Sequence, residues 1–292
     1  MTLIRRIIPT PLRALRWRLP WMLSTDSYAR APAQTALRAI RFTLAESGGR
    51  DVTFQGPDGL LVTTMANNFS SFAFCVDGAR DAAIWRFVQR RIEPGSVFVN
   101  AGANIGTYAL PAARLVGASG RVIAFEAHPV TFSYLQRNTQ ANALTQLLPL
   151  HLALGDTNGE ATMTFFAANP GETHVTSAGE AVAANTATVA MRRLDDVLAE
   201  QGVTRVDYLK IDVEGFELPV LRGAVRTLAD NPGIAVQTEL VERHATRYGH
   251  RIEEIGTLMR EVGLQPHLVD DRTDSLRLLT GKLAGDVIWV RV

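Results

Sequence analysis

A single cysteine, Cys75, excludes an intrachain disulfide and, with it, Cys-based zinc and Cys-x-x-Cys redox motifs. It lies in the apolar run Phe72-Ala-Phe-Cys-Val76, where a core position is expected. There is no internal repeat and no low-complexity tract. An excess of one charge sign is also missing: the net charge is +1, and no basic groove suggests nucleic acid. That balance hides an asymmetry. The first 50 residues carry nine arginines against Asp26 and Glu46, a local charge of +7, which leaves −6 for the remainder. With 292 residues and 47% hydrophobic content, the chain suits one large domain, or one domain with an appended segment.

The basic start, Met1 to Leu23, does not have the pattern of a secretory signal, because arginines interrupt its short apolar runs. It is too short and too charged to span a bilayer. Its arginines, beside Trp17 and Trp21, would suit an anionic membrane surface. Pro9, Pro11 and Pro20 break a continuous amphipathic helix, which favours an arm that is loosely ordered or packed on the domain. The expected location is cytoplasmic, with peripheral contact at the inner membrane surface as the alternative.

Ala33 to Ala45 has helical apolar spacing at Leu37, Ile40 and Leu44. Val52-Thr-Phe and Leu60 to Thr64, joined through Gly56-Pro-Asp-Gly59, predict a β-hairpin. Asp81 to Arg91 predicts a helix. Strands and helices then alternate: Val97–Val99, Gly106–Leu115, Val122–Phe125, Val130–Asn142 and Leu147–Leu154. This alternation argues for a parallel sheet with right-handed crossovers. Ala161–Phe166 and Ala187–Met191 are further strands, separated by a Gly/Ala/Asn-rich segment from Ala167 to Asn185. A short helix at Leu194–Leu198, a strand ending at Asp212, a helix over Glu217–Ala229, a strand over Ile234–Val241 and a helix over Ile252–Val262 follow. Asp286 to Val292 has the pattern of a strand that closes the sheet.

Two turns carry the chemistry. The first, Asn100-Ala-Gly-Ala-Asn-Ile-Gly106, follows a strand and precedes a helix. Gly102 lets backbone pass close to a ligand, Asn104 tolerates left-handed dihedrals, and Gly106 opens the helix whose amides face the ligand. Glu126 ends the next strand, where a carboxylate reaches both hydroxyls of a ribose. A nucleoside cofactor is therefore expected, and NAD(P) and S-adenosylmethionine compete. A pyrophosphate wants glycine where this chain has Asn104. Asn100 and Asn104 suit an ammonium and a carboxylate better. The second turn, Lys210-Ile-Asp-Val-Glu-Gly215, delivers Asp212 and Glu214 to the carboxyl edge of the sheet, with Glu217 just beyond.

Asn100 to Gly106, Phe125-Glu-Ala-His-Pro129, Leu154 to Gly159 and Leu209 to Gly215 together resemble the FkbM-type S-adenosylmethionine-dependent methyltransferases, from about Glu93 to the C-terminus. The resemblance implies an α/β fold: a class I methyltransferase, Rossmann-like seven-stranded sheet with helices on both faces and an antiparallel last strand. Here it would carry an N-terminal extension. The domains are then a basic arm with a helix (1–50), a hairpin region (51–80) and the cofactor-binding domain (81–292). The resemblance also implies O-methylation of a hydroxyl on a sugar or secondary metabolite, so the partner is a small-molecule or glycan acceptor. Cofactor contacts are expected from Asn100, Ala101, Gly102, Ala103, Asn104, Gly106, Thr107, Glu126, Ala127 and Asp212. The family usually has aspartate where this chain has Asn100. Losing that charge should weaken attraction to the cofactor's amino group by about 1 kcal/mol at a partly solvated site.

A hydroxyl is a poor nucleophile until its proton is shared, so a positioned base helps. Asp212 is the first candidate, Glu239 the second and Glu214 the third. Asp212, Glu214, Glu239 and His244 are also of the ligand type that suits Mg2+, although no spacing demands a metal. Lys210 and Glu217 are expected to be structural. His128 is expected near the adenine or simply solvated, and His174 in a substrate lid. An NAD(P)-binding oxidoreductase and a non-catalytic S-adenosylmethionine-binding protein are the alternative readings.

Overall fold

The computed structural model describes residues 18–56, 59–66, 68–78, 82–164, 173–177, 186–270 and 272–291. The arm before residue 18 and most of the Gly/Ala/Asn-rich segment lie outside the described residues, as do Asp81 and Val292.

The extension contains a helical turn at 18–23, then α1 (Asp26–Arg30), α2 (Pro32–Ser47), the hairpin β1 (Val52–Gln55) and β2 (Leu61–Thr64), and α3 (Phe69–Asp77). Then come α4 (Ala82–Arg91), β3 (Val97–Ala101), α5 (Ala109–Val116), β4 (Arg121–Phe125), α6 (Pro129–Ala141) and β5 (Leu147–Leu150). An insertion follows, with β6 (Ala153–Leu154), β7 (Gly159–Thr164), β8 (His174–Val175) and β9 (Thr186–Arg192). The chain returns through α7 (Leu194–Glu200), β10 (Tyr208–Ile211), α8 (Glu217–Arg222), α9 (Val225–Asp230) and β11 (Ala235–Leu240). It ends with α10 (Glu242–Thr246), α11 (Ile252–Glu261), β12 (Gln265–Val269), β13 (Leu276–Leu278) and β14 (Gly285–Val290).

The main sheet has the order β13-β12-β14-β11-β10-β3-β4-β5. Strands β5, β4, β3, β10 and β11 are parallel, and β14 lies antiparallel between β11 and β12. Seven of the strands form the expected Rossmann-like sheet with its antiparallel last strand. The eighth, β13, extends the edge through a hairpin with β12. One apolar core, including Leu209, Leu221 and Trp289, covers one face of the sheet; another, including Phe98, Leu110 and Tyr208, covers the other. Buried on both sides, the central strands are continuous apolar runs.

Strands β4 and β5 build outward from β3 on one side, and β10 and β11 build outward on the other. The boundary between β3 and β10 is therefore a topological switch point, where the loops at the carboxyl ends part and leave a crevice. Ala101 pairs with Ile211, so the turns after Asn100 and after Ile211 sit side by side at that crevice.

Several elements differ from the sequence expectation. The run Leu147–Leu154 is two strands: Leu152 N–H donates to the Leu150 carbonyl, and Ala153–Leu154 then pairs with β9 in a separate four-stranded sheet. Pro149 is tolerated in β5 because that strand is an edge of the main sheet. The helix predicted to open at Gly106 begins at Ala109, after a run of turns. The run around Cys75 is the helix α3, capped by Asn68, whose side chain accepts from the Ser71 amide; Cys75 is buried as expected. Helix α2 forms where its spacing predicts, yet Leu37, Ile40 and Leu44 face solvent while Thr35, Phe42 and Glu46 face inward.

The extension is joined to the core by side-chain amides. Asn138 on α6 and Asn142, the residue that caps its C-terminus one turn later, both bond to the outer edge of β2. Their Oδ1 atoms accept from Thr63 N–H at 2.8 Å and Leu61 N–H at 2.7 Å, and their Nδ2 atoms donate back to the Thr63 and Leu61 carbonyls. The pair does the work of a neighbouring strand on an edge that would otherwise be unpaired.

Candidate active site

The turn after β3 is shaped by three left-handed residues, Gly102 (φ +77), Asn104 (φ +52) and Gly106 (φ +103). Gly102 is required by contact as well as by dihedral. A Cβ there would lie 1.8 Å from the Asp212 carbonyl oxygen, so the two turns touch backbone to backbone. Gly102 and Ala103 amides both donate to the Phe125 carbonyl, which pins the turn onto the end of β4.

Glu126, one residue beyond β4, is buried. Its Oε2 accepts the Asn104 amide at 2.8 Å and its Oε1 the His128 amide at 2.9 Å. Burial pushes its pKa up to about 7, and the two amides oppose that rise. Each oxygen retains acceptor capacity for a hydroxyl. His128 is neither solvated nor free for a ligand: it is buried, and its Nδ1 accepts the Val130 and Thr131 amides that start α6. Burial holds its pKa below the usual histidine value, in keeping with a neutral cap.

On the other side of the crevice, Lys210 Nζ lies 2.8 Å from Asp212 Oδ2 and 4.7 Å from the centre of the Tyr108 ring. The sequence divides this pair into a structural lysine and a chemical aspartate, but both line the crevice. Asn100 is next to Lys210 in register and is 1% exposed. Among the described residues, its Oδ1 has no hydrogen-bond partner. A buried amide oxygen left unpaired costs about 1–3 kcal/mol, and a donor from a bound molecule would recover that.

The second turn is held from below. Glu217 is buried, and its Oε1 accepts the amides of Val213 and Gly215, both at 3.2 Å. Burial raises its pKa to about 7, against the pull of those amides. Glu214 adopts φ +55, and its Oε2 lies 3.2 Å from His244 Nδ1. Gly215 has φ +101, and a Cβ there would lie 2.4 Å from the His244 backbone.

The crevice encloses about 960 Å³ of space, part of it open to solvent. Asn100, Ala101, Gly102, Asn104, Thr107, Glu126, Ala127, Asp212 and Glu214 line it; Ala103, Gly106 and Glu239 are not among the lining residues. Ala103 and Gly106 shape the turn from behind: a Cβ on Gly106 would strike Leu110 at 2.7 Å. Glu239 lies on β11, opposite Asp286 of β14, one strand beyond Asp212. Among the described residues no three His, Cys, Asp or Glu side chains are grouped to hold a metal, so Mg2+ is not assigned.

Other walls carry no signal in the sequence. Tyr108 caps the start of α5, Thr131 sits in the first turn of α6, Ser70 comes from the start of α3, Met163 from β7 and Thr173 from just before β8. His174, expected in a lid, is buried in β8 and lines the crevice. That strand is tied down by Tyr248, whose hydroxyl donates to the Val175 carbonyl at 2.8 Å.

The model of the methyltransferase FkbM domain matches residues 100–266, from the orphaned asparagine to β12. The chain belongs to the FkbM methyltransferase family. This FkbM chain is 35% identical over 153 residues to methyltransferase sdnD of Sordaria araneosa, covering 43% of this chain and 59% of that one. It is 30% identical over 161 residues to the hexuronic acid methyltransferase AglP of Haloferax volcanii, covering 55% and 61%. The FkbM chain thus spans about three fifths of the length of these curated relatives. A solved FkbM methyltransferase from Methylobacillus flagellatus aligns with 90% of this chain and 60% of its own, at 14% identity and a TM-score of 0.40. A likeness at that score adds nothing to the sequence match.

Proposed function

We propose that this FkbM methyltransferase transfers a methyl group from S-adenosylmethionine to a hydroxyl of a sugar or secondary metabolite. The observation that carries the reading is the pairing, at one switch point, of a buried Glu126 with an orphaned Asn100 Oδ1. The residues fit the cofactor's three polar parts. Glu126 would accept the ribose hydroxyls, Asn100 Oδ1 would accept from the amino group, and Lys210 supplies a cation for the carboxylate. S-adenosylmethionine, when bound, supplies a methyl group on a sulfonium, open to in-line attack by oxygen.

The remaining tasks belong to this chain. Of the three acids considered as base, Asp212 and Glu214 line the crevice and Glu239 does not. Asp212 is assigned to take up the acceptor's hydroxyl proton, with Lys210 balancing its charge. Glu214, fixed by His244, stands beside it as an acceptor-orienting group. Leu152, Met163, Val175 and Phe216 exclude water from the crevice walls. A sugar acceptor is supported by the likeness to AglP, and the NAD(P) reading finds no support in the family match.

The test is a split in effects. Asp212→Ala should lower methyl transfer to hexuronic acids or related polyols about 100-fold or more, with S-adenosylhomocysteine affinity changed only a few-fold. Glu126→Ala should do the reverse. Asp212→Asn, which keeps a partner for Lys210, guards against loss of fold. Equal, mild effects from both substitutions would overturn the role assignments. Tight S-adenosylhomocysteine binding without turnover of any polyol would favour a non-catalytic binding protein.

A further inference from the structure

A surface helix normally turns its apolar stripe inward. Helix α2 does the opposite. Leu37, Ile40 and Leu44 share one side of the helix and are 55%, 55% and 63% exposed. The inward side carries Thr35, Phe42 and Glu46. Burying Glu46 is made tolerable by Arg18, whose guanidinium forks onto both carboxylate oxygens and stacks 4.6 Å from the Phe72 ring. The arrangement removes the only acid of α2 from the surface and leaves its aliphatic residues there.

The stripe does not stand alone. Of nine large apolar side chains exposed among the described residues, five lie between positions 19 and 44: Leu19, Leu23, Leu37, Ile40 and Leu44. Leu19 and Leu23 are one turn apart on the helical segment 18–23. Between that segment and α2 runs an apolar groove formed by Leu19, Met22, Ala39, Ile40, Leu44 and Phe72. Along α2, Arg41 is exposed beside the stripe and Arg38 lies further round. Asp26, the other acid in the first 50 residues, is paired with Arg30.

We propose that this face rests on an anionic lipid bilayer, with the five aliphatic side chains in the interfacial layer and the arginines at the headgroups. The charge decides between occupants. A face with aliphatic residues and arginines, and no free carboxylate on α2, complements a negative surface. A second copy packed α2 against α2 would bring Arg38 and Arg41 of both chains together with no exposed acid on either helix to meet them. Among the described residues no helix is long and apolar enough to cross a membrane, so the contact proposed is peripheral. The proposal is independent of the assigned methyl acceptor.

The test is sedimentation of the full chain with vesicles of phosphatidylglycerol or of phosphatidylcholine. The chain should pellet with phosphatidylglycerol, less so as salt rises, and stay in solution with phosphatidylcholine. The triple variant L37S/I40S/L44S should lose about tenfold or more in vesicle affinity, and Arg41→Glu a smaller share. Both should bind S-adenosylhomocysteine as the parent does, which reports an intact fold. As a second readout, Ile40→Trp should shift its fluorescence to the blue on phosphatidylglycerol vesicles alone. Three outcomes would overturn the proposal: no pelleting with phosphatidylglycerol, pelleting that the triple variant leaves unchanged, or a dimer that the triple variant disperses while vesicles bind nothing.

Discussion

Glu126 is a buried carboxyl that a ribose must find ionised in order to give it two hydroxyl donors. In the free chain its pKa is about 7, raised chiefly by burial. Ligand binding should therefore release a proton near neutrality, and affinity for S-adenosylhomocysteine should climb as pH rises through about 7. Calorimetry in two buffers of different ionisation enthalpy measures that proton directly. Glu126→Gln should abolish the release and weaken binding about tenfold or more; a wild-type chain that releases no proton would contradict the assignment. This residue is legible in the sequence because strand, glycine turn and next-strand acid are local in the chain. Lys210 reads from sequence as a strand flank, and Tyr108 and Ser70 carry no site signature at all. Their roles arise from packing between segments distant in sequence, such as the cation of Lys210 over the Tyr108 ring.

At the scale of elements, the turn from β10 into α8 is held by one buried carboxyl and one glycine. The pKa of Glu217 in the folded chain, about 7, exceeds its ordinary value of 4.5. The stability it contributes is thus whole below about pH 4.5 and lost as pH rises through about 7. A tenfold change in proton affinity is worth about 1.4 kcal/mol. Urea unfolding of the free chain should show falling stability from about pH 5 to pH 8, with a shallower fall in Glu217→Gln, whose amide oxygen still accepts from Val213 and Gly215. Gly215→Ala should cost about 2 kcal/mol or more in the same assay, since its φ is left-handed and the His244 backbone fills the space. Undiminished stability in the Gly215→Ala variant would show that the turn can shift. Period and apolar runs foretell most strands and helices. They miss the break at His151, because an apolar run does not reveal which sheet will pair with it. They also cannot show that the stripe of α2 faces outward: spacing marks an apolar side but not its direction.

For the whole molecule, the extension and the cofactor crevice are one mechanical unit. Asn138 touches both: it bonds to β2, and its Nδ2 also donates to the Ile105 carbonyl, inside the cofactor turn, at 3.0 Å. Asn138→Ala should therefore lower stability by about 2 kcal/mol, through buried backbone groups left unpaired, and should weaken S-adenosylhomocysteine binding as well. Unfolding and calorimetry on the same variant check the pair of effects. A loss of stability with unchanged affinity would separate the extension from the site. The central claim is that β3 and β10 part at a crevice where Glu126 holds a ribose and Asn100 meets an amino group. A crystal structure with S-adenosylhomocysteine tests it most directly. The account predicts both ribose hydroxyls on Glu126 and the amino group on Asn100 Oδ1; a ligand bound elsewhere, or a ribose that leaves Glu126 untouched, would contradict it.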